Sequence, residues 1–480
     1  MQDAKLIVLL KTVQPEELRW LAKWVRSPYY NSNEGVVALF DYLRRYAPAF
    51  DSPKLDKEAV FRQLFPKQPY DDQRLRLLMF RLSELVEEFL VAQRLKGDRL
   101  THQQLLQQEL GERSQYDLFV KKNQALAEQL ALSAYRDEHY YLALWRQQHD
   151  YFFHPQTARY GFSADQVREI MQNLDAFYIL SKMRYSTELR NRQNILPEEY
   201  DILLLRESLQ LAEEHPAFGA DKVFQAYRDM LGLMEQPDNE NTYQRLETIA
   251  FSHLHLFRPT DQSSLLRYLI NTTIQLYNKG KQEYLKRQFR LYQLGLEKEL
   301  FLDEGKLSDA TFLNIIVTAT VLGEMGWVEG FIAQYAPSLP DTLQVDAVSL
   351  GTAYWYFAKG DFHASNALLR QVESTGLQYQ LRVKSLSLRN TFELFLQDET
   401  YYELFTYESK AFRKFLRRNE KISESRARAY LNLASFLRKL AKLKANGLLT
   451  RNSLAKLREK LDKENSVVAR PWLQEKLAEG

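Results

Sequence analysis

Helical periodicity, punctuated by proline and sustained over most of 480 residues, is the feature that most constrains this chain. From residue 101 onward the pattern is helix after helix, with breaks at Pro155, Pro197, Pro216, Pro237, Pro259, Pro337 and Pro340. No segment shows the period-2 alternation of a half-buried strand. Glycine supports the same reading. The 17 glycines are about half the average usage, and sheets with tight hairpins consume glycine at their turns. An all-α fold is expected: an N-terminal helical bundle followed by an α-solenoid of helix hairpins. The chain is too long for one simple core, so several domains or a repeat array are required. Tyr and Phe supply nearly all of the 13% aromatic content, bulk that suits helices packed in layers.

Residues 1–98 read as a compact helical domain. Pro15 opens a helix whose inner face is Leu18, Leu21, Ala22 and Val25, and the run Arg26-Ser-Pro-Tyr-Tyr-Asn31 ends it. Val36, Phe40 and Leu43 mark a second helix that stops before Pro48. Asp56 has the chemistry of an N-cap, with Leu55 and Val60 placed as a hydrophobic staple. A long helix then carries Leu75, Leu78, Leu82, Leu85, Phe89 and Ala92 inward and ends near Gly97, the expected domain boundary.

An irregular helical array is expected over 99–307, with hairpin breaks at Asp238 and Gly280. The most regular stretch is 308–418. There Gly326-Trp327-Val328 and Gly360-Asp361-Phe362 are read as corners between paired helices, their glycines 34 residues apart. Ala319 and Ala353 stand seven residues before them, where a small side chain lets the paired helix approach; Leu322 and Tyr356 stand four before. A third corner falls near Asp398-Glu399-Thr400-Tyr401. On these residues the stretch resembles the tetratricopeptide class of helix-turn-helix repeats, whose period is about 34 residues. Ser365 departs from the pattern, standing where that class prefers alanine. A second resemblance rests on Ser27-Pro-Tyr-Tyr-Asn31, Leu64-Phe65-Pro66, Tyr70-Asp-Asp-Gln-Arg-Leu75 and Trp472-Leu-Gln-Glu-Lys476. These look like an uncharacterised family of helical proteins of Bacteroidota, which implies a fold and no activity.

Searching for chemistry turns up no catalytic, cofactor or metal signature. With no cysteine, disulfides, thiolate metal sites and a cysteine nucleophile are excluded. None of the eight histidines has metal-site spacing. His253 and His255, two apart on a helix, point in different directions, and His149 and His154 read as surface or boundary residues. Walker A, dinucleotide and nucleophile-elbow patterns are missing. No stretch approaches about 18 uninterrupted apolar residues, Phe312–Leu322 reading as a buried helix, and the start of the chain reads as a helix, not an export signal. A soluble, cytoplasmic, non-catalytic protein without cofactor is expected.

Charge is the feature that departs from the ordinary. Lys410 to Lys460 hold sixteen basic and three acidic residues, a net of +13 in a chain whose total is +3. Arg413, Lys414, Arg417 and Arg418 cluster at a helix end, where cations also complement the helix dipole. The next helix buries Tyr430, Leu433, Leu437 and Leu440 and carries Arg428, Arg438, Lys439 and Lys442 on or near its other side. Asn446-Gly447 ends that helix, and Thr450 caps another with Leu454, Leu457 and Leu461 inward. The segment 419–480 is therefore a basic C-terminal helical cap. It attracts phosphates or an acidic protein, docks on the chain's own acidic remainder, or is simply a solvated end of the solenoid. Trp20, Trp24, Tyr29 and Tyr30 form the other candidate surface, as an aromatic binding cluster or as core packing. The expected function is a non-catalytic scaffold or adaptor binding protein partners through a helical-repeat surface. The alternative is a nucleic-acid-associated or regulatory protein using 410–460.

Overall fold

Pro216 and Pro259 occupy the first position of their helices, Pro216–Gly219 and Pro259–Asn278, where a missing amide donor costs nothing. Around such breaks the chain is helical almost throughout. The computed structural model describes residues 3–157, 163–193, 201–464 and 466–478, so the break expected at Pro197 lies outside the described residues. Among the described residues there are twenty-four α-helices and one short antiparallel pair, Leu302–Asp303 with Lys306–Leu307. That pair was not foreseen. It closes over Glu304 and Gly305, both at positive φ, which is the geometry of a two-residue hairpin turn. No helix among the described residues is long and apolar enough to cross a membrane.

The chain divides into two compact units, one of residues 1–133 with 143–170 and one of 134–142 with 171–480. In the first, the 26-residue helix Asp72–Gly97 is the spine, packed against Lys5–Thr12, Glu17–Val25 and Glu34–Leu43. Leu75, Leu78, Leu82, Leu85 and Phe89 are buried, and Ala92 is half-buried. Asp56 accepts a hydrogen bond from the Glu58 amide, so the cap forms as expected, and the staple residues Leu55 and Val60 are both buried. Farther along this unit, Asn123 Oδ1 accepts from Gln107 Nε2 at 3.0 Å and Gln147 Nε2 at 2.8 Å, satisfying polar groups that would otherwise be costly to bury.

The second unit is built from helix hairpins in succession. Lys222–Glu235 pairs with Glu240–Ser252, Pro259–Asn278 with Glu283–Glu297, and Asp309–Val321 with Met325–Tyr335. Gln344–Ala358 then pairs with Phe362–Leu369, and Leu377–Gln397 with Tyr402–Arg418. Each hairpin packs against the next in sequence. The corners follow local chemistry. Asn239 caps after the Asp238 turn, Gly280 and Gly360 take left-handed φ of +99° and +80°, and Asp398 leads into a 3₁₀ turn, Glu399–Tyr401. Glu424–Ala445 ends at Asn446 and Gly447, and Thr450 opens Arg451–Lys463 in a reciprocal capping box with Ser453.

One corner is not where the sequence pattern put it. Gly326 lies inside the helix Met325–Tyr335, and the turn is made by Gly323 at φ +81°. The equivalent glycines are Gly323 and Gly360, 37 residues apart, so the 34-residue spacing was a coincidence of sequence. Ala319 and Ala353 are both fully buried, as a close helix approach requires, but they are not equivalent positions: at the two corners the amides of Glu324 and Asp361 bond to the carbonyls of Ala319 and Tyr356. Leu322 and Tyr356, expected to fill the hairpin core, are only half-buried. Alanine substitution separates the two glycines. Gly326→Ala has open space and a helical backbone, and should raise stability by about 0.5–1 kcal/mol. Gly323→Ala forces a side chain into left-handed geometry and should lower it by about 1 kcal/mol. Urea denaturation of both variants reads the signs, and a destabilised Gly326→Ala would return the corner to residue 326.

Candidate functional site

The helix Tyr402–Arg418 buries Phe405, Ser409, Phe412 and Leu416 at steps of three and four, which leaves its basic residues on the outer side. Lys410, Arg413, Lys414, Arg417 and Arg418 line one shallow depression of about 310 Å³. Lys414 and Arg418 also edge a neighbouring one of about 610 Å³ with Phe415 and Lys421. Arg413 is half-buried, with its Nε unpartnered, and Lys410, Lys414, Arg417 and Arg418 are exposed. On the next helix Arg428 pairs with Glu424 at 2.8 Å, whereas Arg438, Lys439 and Lys442 stand exposed and line neither depression.

Among the described residues, no ion pair ties Arg413, Lys414, Arg417, Arg418, Arg438, Lys439 or Lys442 to a carboxylate. Apart from the Arg428–Glu424 pair, other cations of the basic segment reach neutral oxygens. Arg426 reaches the Gln378 amide, Lys444 the Leu396 carbonyl and Arg458 the Leu477 carbonyl. Positive charge on this ridge therefore remains open to solvent.

The aromatic group expected near the start of the chain lies in the first unit. Trp24 stacks on Tyr30 at 3.7 Å and meets Phe89 edge-on at 6.0 Å, so it packs against the core of that unit. Trp20 and Tyr29 are exposed, at 50% and 87%. The cluster thus divides between packing and surface.

A third feature was not anticipated. The second unit holds a partly open cavity of about 660 Å³, walled by residues drawn from Ile274 through Lys476. Its polar side is a stripe on the helix Leu377–Gln397: Arg382, Ser385, Arg389 and Glu393 recur at steps of three and four and share one face. Leu381, Leu386, Leu388, Phe392 and Phe395 of the same helix are all buried, so the stripe faces the interior instead of solvent. That spacing was visible in the sequence.

Arg389 sits deep in the fold with part of its side chain open to the cavity, and burial pushes its guanidinium below the ordinary value. Its Cζ lies 4.8 Å from the Phe357 ring centre, 5.6 Å from Trp472 and 5.9 Å from Tyr354. Its Nε is buried without a hydrogen-bond partner. Glu393 is engaged elsewhere, accepting from Trp472 Nε1 at 3.0 Å and pairing with Lys476 Nζ at 3.1 Å. Arg382 donates to Asn314 Oδ1 at 2.7 Å, and Gln288 to Thr318 Oγ1 at 2.8 Å. Burial also raises the Tyr277 phenol to about 12, with Glu475 adding to the effect.

Two of the histidines are packed among rings. His154 stacks on Phe119 at 4.5 Å beside the Gly111 carbonyl, and His149 lies between Trp145 and Phe153. His253 is half-buried and His255 exposed. Among the described residues no group of three or more His, Asp or Glu is arranged to hold a metal ion. Comparison with protein families, with curated proteins and with solved structures finds no match.

Proposed function

We propose that this chain is a non-catalytic scaffold or adaptor of the cytoplasm that engages protein partners through a tetratricopeptide-like array of helix hairpins. The observation that carries this reading is the run of five hairpins from Lys222 to Arg418, each packed on its neighbour in sequence order. Stacking of this kind builds extended binding surfaces without active-site chemistry. Fold alone does not assign function, so the partner is specified by charge: the open cations at Arg413, Lys414, Arg417 and Arg418 suit an acidic protein surface. Ser365, the departure from the repeat pattern, supports the array locally, donating to the Ala353 carbonyl at 2.8 Å across the hairpin.

The same open cations favour a second reading, a nucleic-acid-associated protein. Against it, Phe436 is 4% exposed and Phe415 half-buried, so neither offers a face to a base, and Tyr407, 71% exposed on the ridge helix, presents a single ring where base stacking along a strand uses several. One experiment separates the readings: capture of partners by the full chain from its native lysate, with and without nuclease, beside a variant carrying Gln at 413, 414, 417 and 418. A protein partner retained after nuclease by the wild type and lost by the variant is expected. Capture abolished by nuclease would favour nucleic acid, and the variant's slope of log affinity against log salt would then be smaller by about 3–4. Capture indifferent to both treatments would remove the basic ridge from either reading.

A further inference from the structure

The cavity lined by the Arg382–Glu393 stripe has features that core packing does not require. Arg389 is a cation set deep in the fold, partly open to the cavity, with no carboxylate bonded to it; rings lie around it, and Glu393, which shares its helix face, is held by Trp472 and Lys476. Buried charges are ordinarily paired, since taking a cation out of water is costly unless an anion compensates. Two further arginines line the same space, Arg382 and Arg426, each bonded to a neutral amide oxygen, of Asn314 and Gln378, that leaves its charge uncancelled. Apolar and aromatic residues line the space as well, Leu285, Val317, Phe357 and Trp472 among them. A volume of about 660 Å³ is in the range that holds a small organic molecule.

We propose that this cavity binds a small organic oxyanion, a carboxylate or phosphate carried on an aromatic or apolar body. Arg389 anchors the oxyanion, because a planar guanidinium offers paired donors to such groups and stays charged. Arg382 and Arg426 supply the rest of the positive field, and the indole of Trp472 covers the body of the ligand. The helix Arg470–Ala478, which contributes Pro471, Trp472 and Lys476 to the wall, closes one side of the site. This site shares no lining residue with the ridge at 410–418, so it stands or falls separately from the adaptor reading.

The test is calorimetric titration of the full chain with phenyl phosphate, benzoate and inorganic phosphate, with the melting temperature followed in parallel. At least one aromatic anion should bind saturably at a single site and raise the melting temperature, and inorganic phosphate should bind more weakly than phenyl phosphate. Preference for phenyl phosphate assigns a phosphate ligand, and preference for benzoate a carboxylate. Arg389→Leu should weaken binding by about tenfold or more and leave the ligand-free melting temperature unchanged or higher, since it removes an uncompensated buried charge. A purely structural Arg389 would instead lower that temperature. Should Arg389→Leu fail to fold, Arg389→Lys keeps the charge and loses the fork, and its binding should be weaker than wild type. No saturable binding of either aromatic anion at millimolar concentration overturns the proposal. So does full affinity in Arg389→Leu or, where that variant does not fold, in Arg389→Lys. Loss of binding in the 413, 414, 417 and 418 variant would also overturn it, by moving the site to the ridge.

Discussion

Arg184→Met is expected to destabilise the second unit by about 3–5 kcal/mol, enough to unfold a marginal domain. Arg184 projects from the helix Ala164–Gln193 and serves two acids at once. Its Nη1 donates to Glu138 Oε1 at 2.9 Å, while Nε and Nη2 donate to Asp261 Oδ1 at 3.1 and 2.9 Å. The carboxylates are nearly out of solvent, with side-chain exposures of 7% and 9%. Burial and both carboxylates press on the neighbouring Tyr227 phenol as well and push its pKa upward. Methionine keeps most of the arginine stem but leaves two buried like charges without a cation. The comparison that isolates this cause is Arg192→Met on the same helix. Its partner Glu188 is only 2.8 Å away, but both side chains are exposed, and the loss there should stay within about 0.5 kcal/mol. Adding Glu138→Gln and Asp261→Asn to Arg184→Met should restore part of the loss, because the stranded charges go with the arginine. Urea denaturation measures each variant. Equal losses at 184 and 192 would mean that solvent reaches the buried carboxylates.

Elements whose ends carry their own chemistry were legible from sequence. The long helix Asp72–Gly97 has a capping aspartate and an apolar face at helical spacing; Gly360-Asp361 and Asn446-Gly447 pair a left-handed glycine with a nearby cap. Gly323 carries no corner signal in sequence because Glu324 after it provides no side-chain cap, while Gly326-Trp327-Val328 mimics a corner from inside a helix. The short pair at 302–307 was hidden by its length, since two-residue strands carry no periodicity. The two candidate sites divide in the same way. The basic ridge is local in sequence, four cations within six residues on one amphipathic helix, and could be placed without tertiary information. The cavity draws its wall from Ile274 to Lys476, and such convergence depends on how the helices pack. Only its stripe, Arg382, Ser385, Arg389 and Glu393, was local. A polar stripe on a helix ordinarily marks the solvent side. It marks an interior surface here because apolar residues on both flanks are buried, Leu386 in one core cluster and Leu381, Leu388, Phe392 and Phe395 in another.

Gly295→Ala should cost about 1–3 kcal/mol, and the reason is a contact that no other residue would permit. A Cβ at this position would stand 2.1 Å from Cε2 and 2.2 Å from Cζ of Phe301. Real carbon contacts lie near 3.5–4 Å, so the ring would have to leave its place. Little room exists for it to do so. Phe301 is 4% exposed, it meets Tyr292 edge-on at 6.1 Å, and Arg267 lies over its ring at 5.9 Å. The backbone holds it from the other side, where Glu299 turns at φ +55° and the Leu300 amide bonds to the Gly295 carbonyl at 2.8 Å. Gly351→Ala is the milder counterpart. Its Cβ would approach Ile316 Cδ1 to 2.6 Å, but that methyl is the free end of a side chain that can rotate, so the loss should be smaller than at Gly295. Pairing Gly295→Ala with Phe301→Leu should recover part of the loss, because the obstructing ring edge is removed while the site stays apolar. Recovery would show that the Phe301 ring sets how closely the end of Glu283–Glu297 meets the turn toward the next hairpin. A neutral Gly295→Ala would show instead that the ring is free to move and that some other contact fixes this joint.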